Sequence, residues 1–125
     1  MHPAVIVFVG AVGMCFGSFL NVVAYRVPRG RSVVAGRSGC PACDAVIAWY
    51  DDIPVVSWVL LRGRCRRCDS PISGWYPAGE VATGMVFAVA AWRASSGWTL
   101  AVLVFAATAL MTVAALWTGF RRHDT

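Results

Sequence analysis

The sequence predicts an α-helical membrane protein, with three transmembrane helices and a cytoplasmic four-cysteine loop between the first and second. Three observations carry that class: long uncharged apolar runs, two C-x-x-C knuckles between them, and arginines crowded on one side of the runs. Of the 125 residues, 58% are hydrophobic and only 14% charged. Soluble domains sit nearer half apolar and a quarter charged, so an ordinary cytosolic fold is disfavoured. Six Trp and six Phe also exclude a disordered chain. One domain covering 1–125 is expected.

The first span is read from Ala4 to Ala24, 21 residues without charge in which only Ser18 and Asn21 are polar. At about 1.5 Å per residue this crosses a hydrocarbon core of about 30 Å. It lacks a basic leading segment and an A-x-A cleavage site, so it reads as a retained helix rather than a signal peptide. Gly10, Gly13, Gly17 and Asn21 share one helix face, where small residues admit a second helix and Asn21 can hydrogen-bond across the contact. Cys15, alone in mid-span, is expected to be a small packing residue.

A second span is read over 77–92, only 16 residues, with Glu80 near its start. Trp75 and Tyr76 would lie at one interface and Trp92 at the other, where amphipathic rings settle. Glu80, Gly84 and Ala88 align at helical spacing. An acid here is expensive unless it is interfacial or partnered, which leaves an interfacial Glu80 or one bonded to the first span or to a loop arginine. The third span is read over 98–120, 23 uncharged residues.

All 11 basic residues are arginines, and the loop 26–76 holds Arg26, Arg29, Arg31, Arg37, Arg62, Arg64, Arg66 and Arg67. The turn after the second span holds Arg93 alone, while the tail holds Arg121 and Arg122. Three spans put ten of these on one side, which predicts an outside N-terminus with the loop and tail in the cytoplasm. The net charge of +5 thus has a topological origin, and no nucleic-acid partner is expected.

Cys40-Pro-Ala-Cys43 and Cys65-Arg-Arg-Cys68 are separated by 21 residues. Two such knuckles converge as a tetrahedral thiolate site, each supplying two ligands from one tight turn. Two disulfides would need an oxidising compartment, and a redox C-x-x-C would need a βαβ setting that the sequence lacks. Structural zinc on Cys40, Cys43, Cys65 and Cys68 is the expectation, with no open position for a reactive water. The arginines around the second knuckle would favour the thiolate form. His2 and His123 lie at opposite ends, and nothing resembles a Ser-His-Asp set.

Gly17-Ser18-Phe19-Leu20-Asn21-Val22-Val23-Ala24-Tyr25-Arg26-Val27-Pro28, the two knuckles, Asp52-Ile53-Pro54 with Ser57-Trp58, and Ile72-Ser73 to Tyr76-Pro77 with Glu80 resemble the amino-terminal half of bacterial type IV prepilin peptidases. That resemblance covers roughly residues 10–90. It implies an inner-membrane enzyme that cuts leaders from prepilins and pseudopilins and often methylates the new amino-terminus with S-adenosylmethionine. It also implies a zinc-binding loop associated with methylation and assembly.

The family's peptidase half supplies two aspartates, one of them in Gly-x-Gly-Asp, and no such motif occurs in these 125 residues. Where the first aspartate is expected, the chain reads Ala115-Leu116-Trp117-Thr118, and Asp124 stands alone. A threonine cannot share a proton within a carboxylate pair. Asp52 and Trp75 replace the family's usual Asn and basic residue.

The resemblance therefore implies the front half of a larger enzyme, with no catalytic residue of its own and a separately encoded peptidase half as partner. S-adenosylmethionine methyl transfer is a second possibility, though no glycine-rich nucleotide loop marks a site. A non-catalytic zinc-loop membrane scaffold is a third.

Overall fold

The structure is a computed structural model that describes residues 1–123, with side chains through Arg121. Asp124 and the side chains of Arg122 and His123, named from the sequence, therefore lie outside the described residues. Among the described residues four α-helices follow in order: α1 Pro3–Arg26, α2 Val56–Leu60, α3 Trp75–Arg93 and α4 Gly97–His123.

Each long helix carries its own start signal. Pro3 opens α1 behind His2, whose Nδ1 accepts the Ala4 N–H at 3.2 Å. Proline suits this position because its missing N–H would be unpaired there anyway. The α1 axis ends in a 3-10 turn, Val27–Arg29, and Gly30 stops it in the left-handed conformation at φ 62°. Ser73 Oγ accepts the Trp75 N–H at the head of α3, and Ser96 Oγ accepts the Thr99 N–H at the head of α4. Hydroxyl caps of this kind satisfy amides that the helix itself leaves free.

The three long helices run up, down and up. Gly10 faces Gly84 and Ala88, Gly13 faces Phe87, and Gly17 faces Glu80 and Thr83, so α1 and α3 are antiparallel along their whole shared length. The expected small face is therefore the contact face. Gly13 has no room for a side chain: a Cβ there would stand 2.7 Å from Phe87 Cβ and 2.9 Å from the Thr83 carbonyl. Phe16 stacks on Phe87 with centroids 5.8 Å apart. Asn21 Nδ2 donates to the Tyr76 carbonyl at 3.2 Å, the cross-helix bond that its position suggested. Buried Leu20, Val23, Phe87, Ala90, Ala91 and Ala94 complete this core.

Helix α4 lies parallel to α1, with Gly119 against the Ala24 carbonyl at one end and Leu100, Ala101 and Val104 beside Phe8, Val9 and Val12 at the other. Among the described residues two helices, α1 with its 3-10 extension and α4, are long and apolar enough to cross a membrane. Helix α3 falls outside that pair, since Glu80, Thr83, Gly79 and Gly84 dilute its apolar content.

Cys15 departs from expectation. It is exposed, because the glycine face of α1 meets α3 and Cys15 points elsewhere.

Candidate metal centre

The loop between α1 and α3 is tied to the helices before it is tied to itself. Arg26, the last residue of α1, donates to the carbonyls of Ser32 at 3.0 Å, Ala35 at 2.9 Å and Arg37 at 3.3 Å. These bonds fold the chain back so that the first knuckle begins near the helix end. From the other side, Trp58 Nε1 donates to the Ile72 carbonyl at 3.2 Å, and its ring lies against Gly63. Only glycine fits at 63, where φ is 68° and a Cβ would stand 2.7 Å from the indole.

Both knuckles have the same local construction. The Cys40 N–H donates to Ala45 O and the Cys65 N–H to Ser70 O; the Asp44 N–H returns to Cys40 O and the Asp69 N–H to Cys65 O. Antiparallel bridges Gly39–Val46 and Arg64–Pro71 close the two turns. Asp44 and Asp69, each just after the second cysteine, have φ of 56° and 61°. Aspartate visits this left-handed region more readily than most residues because its short polar side chain bonds locally. The repeated Cys-x-x-Cys-Asp was thus a signal for the turn geometry that the spacing alone did not reveal.

The 21-residue spacer brings the knuckles face to face. All four sulfurs lie within 4.8 Å of one another. Cys40 and Cys68 Sγ are 3.7 Å apart, and Cys43 and Cys65 Sγ 3.9 Å. A tetrahedron with metal–sulfur bonds of about 2.3 Å has edges of about 3.8 Å, so the donor set fits a four-coordinate thiolate metal. A disulfide needs sulfurs about 2.05 Å apart, and all four cysteines are free. The four residues could hold a metal ion.

Hydrogen bonds set the protonation of the sulfurs. The Ser70 hydroxyl and then its N–H hold Cys68 down to about 6. The N–H groups of Cys68 and Arg67 lower Cys65. Cys43 receives the Ala45 N–H, which lowers it, but desolvation and proton sharing with the other three thiols push it up to about 11. A bound cation displaces such shared protons.

The arginines contribute less directly than expected. Arg66 makes a two-pronged pair with Asp51, 2.7 Å on each arm, and Arg64 pairs with Asp69 at 3.1 Å. The Arg66 guanidinium holds Asp51 below the usual carboxylate range and ties the second knuckle to the spacer.

A second polar anchor was not foreseen in detail. Glu80 is 7% exposed, and its Oε2 accepts the Val55 N–H at 2.7 Å. Its partner is thus a loop amide, neither the first span nor an arginine. Val55 has φ 62° and ψ −50°, and the Val56 N–H bonds Pro54 O at 2.6 Å, a γ-turn in its strained hand. Beside it, Asp52, Pro54, Cys15, Ser18, Phe19 and Val22 line an open groove of about 300 Å³. Burial raises the Asp52 carboxyl above its ordinary value.

Residues 11–94 match the model of the bacterial peptidase A24 N-terminal domain, a stretch that contains both knuckles, Glu80 and the α1–α3 contact. The chain belongs to that family. It is 50% identical over 97 residues to a prepilin leader peptidase/N-methyltransferase of Myxococcus xanthus, an alignment covering 78% of this chain and 28% of the relative. It is 38% identical to a type 4 prepilin-like proteins leader peptide-processing enzyme of Escherichia coli, with 85% of this chain and 47% of the relative covered. A prepilin leader peptidase/N-methyltransferase of Neisseria gonorrhoeae is 36% identical, with 86% and 46% covered. The chain thus spans between about a quarter and a half of these relatives. No solved structure matches. Family membership, the apolar helices and the cysteine cluster describe a prepilin-peptidase-type protein of the inner membrane with a site able to hold a metal.

Proposed function

We propose that these residues act in the processing of prepilins or pseudopilins as the amino-terminal, zinc-binding part of the enzyme. The peptidase carboxylates come from a separate half, so this part is proteolytically inactive alone. The carrying observation is the four-sulfur cluster of tetrahedral size inside a domain that the prepilin-processing relatives share. Zinc matches an all-thiolate donor set. Cys40, Cys43, Cys65 and Cys68 would hold it, and it would supply cross-linking of the two knuckles rather than activation of water. Methyl transfer to processed pilins has the relatives' printed names as its support.

Three spans form the membrane part, α1, α3 and α4, with 1–125 as one unit. Helix α3 runs antiparallel beside α1 from Asn21 to Gly10, so a bilayer crossed by α1 also encloses α3. Its polar groups are internal: Thr83 Oγ1 donates to its own helix and Glu80 accepts from Val55. The arginine distribution puts the N-terminus outside and the knuckles and C-terminal end of α4 in the cytoplasm.

The test is reconstitution. Protein purified in detergent is expected to carry one zinc per chain by elemental analysis, and the Cys40→Ser plus Cys65→Ser variant none. A prepilin substrate is expected to stay intact with this chain alone and to be cut when a Gly-x-Gly-Asp membrane peptidase half is co-reconstituted. Cleavage by this chain alone would refute the division of labour.

A further inference from the structure

The segment Asp52–Leu60 lies between the knuckles, yet its surroundings belong to the membrane part. Asn21 bonds the Tyr76 carbonyl and so marks the level at which α3 begins. The groove that holds Asp52 and Pro54 extends along α1 from Val22 to Ser18 and Cys15. At about 1.5 Å per residue, Ser18 and Cys15 stand about 4.5 and 9 Å beyond Asn21, deeper than the start of α3.

The backbone of the tip is prepared for such a place. Pro54 has no N–H, Val55 donates to Glu80 Oε2, Val56 to Pro54 O and Ser57 to Ile53 O. The Ser57 hydroxyl adds a second bond to Ile53 O at 2.6 Å. Non-helical backbone is tolerated at membrane depth only where its polar groups are met by protein. Helix α2 then turns Ser57 and Trp58 inward, while Val56, Val59 and Leu60 form its outer face. That outer face is wholly apolar, with Leu60 77% exposed, where a water-facing turn would carry polar residues. Just before it in the chain, Asp52 and Pro54 share the groove with Phe19 and Val22 of α1.

We propose that Ile53–Leu60 is a re-entrant segment seated in the cytoplasmic leaflet, its outer face covered by phospholipid acyl chains and Asp52 at its headgroup end. This rests on the reading of α1 and α3 as spans. In-plane apolar faces of this kind sit about 5–10 Å into the headgroup boundary. The strained turn at Val55 reverses the chain, and the carboxylate of Glu80 fixes it against α3.

Depth measurement tests it on the full chain. A genetically encoded nitroxide is placed singly at Leu60 and Val56, leaving the cysteines native. The reference positions are Val7 on α1, Met85 on α3 and Val34 in the outer loop, all exposed at 72%, 63% and 89%. In phosphatidylethanolamine–phosphatidylglycerol vesicles, Leu60 and Val56 are expected to relax with oxygen and to lose relaxation by water-soluble chromium oxalate, as Val7 does. Val34 should show the reverse. Chromium access at Leu60 equal to that at Val34 would overturn the insertion. So would shielding from both agents, which would mean that a protein surface covers α2. Met85 separates the two readings: lipid access at Met85 with water access at Leu60 refutes the insertion alone. Water access at Met85 with lipid access at Val7 refutes the reading of α3 as a span, and with it the insertion that rests on that reading.

Discussion

Replacing Glu80 by alanine isolates the contact that holds the spacer against the helices. The carboxylate is buried and is the acceptor for Val55 N–H at 2.7 Å. Removing it leaves that amide without its acceptor, which costs about 1–3 kcal/mol. The one lost methylene of burial adds about 0.8 kcal/mol. The total of about 2–4 kcal/mol falls on the spacer rather than on the whole fold, because the strained Val55 can relax once released. At 1.36 kcal/mol per decade, local opening should rise about 30- to 900-fold.

Hydrogen exchange read by mass spectrometry on a peptide spanning 53–61 checks this, with peptides from α1 as the internal control. Glu80→Gln keeps an acceptor of the same shape and loses only the charge-assisted part, about 1 kcal/mol or about fivefold faster exchange. Exchange in Glu80→Ala indistinguishable from wild type would refute the anchor and leave Glu80 a solvated interfacial charge. Equal acceleration in α1 would refute the local character of the effect.

Three further outcomes follow from the same geometry. Gly17→Ala drives a Cβ into Thr83 Oγ1, which is fixed by bonds to the carbonyls of Gly79 and Glu80; a loss of about 1–3 kcal/mol is expected in a denaturation series, while Gly97→Ala, with open space, should be near neutral. Asp69→Val places a β-branched residue at φ 61° and should cost about 1–2 kcal/mol beyond Asp69→Gly, read as the thermal midpoint in the same buffer. Asp51 is depressed by Arg66, so its contribution is fully present above the ordinary carboxylate value of about 4 and is lost as pH falls through its lowered value. The stability gap between wild type and Asp51→Asn should therefore be flat at neutral pH and close only in acid.

Legibility in the sequence followed the range of the interactions. The knuckles were readable because a tight turn is local and four cysteines admit few arrangements; their sulfurs duly meet within 4.8 Å. The small face of α1 was readable because helical spacing fixes which residues share a side, and Gly10, Gly13 and Gly17 do face α3. Cys15 was misplaced because an apolar helix gives no sign of which remaining side faces protein. The Glu80–Val55 bond joins residues 25 apart through a turn of uncommon hand, and no periodicity carries that.

The weak apolar signal of α3 has a physical explanation in the same contacts. On the three-span reading, a helix that turns most of its surface to lipid advertises itself by hydropathy, as α4 does with exposed Phe105, Leu110 and Val113. A span that packs along its neighbour must present small and hydrogen-bonding groups on that side, since apolar bulk drives no association between helices in lipid. Gly84 and Thr83 serve close approach to α1, and Glu80 reaches the spacer, so the residues that lower the hydropathy of α3 are the ones that hold it in place. On the three-span reading, replacing them by leucine would raise its hydropathy and detach it. Gly84→Leu should therefore strengthen membrane insertion of an isolated α3 peptide yet weaken α1–α3 association in the full chain, and gains in both would refute that account.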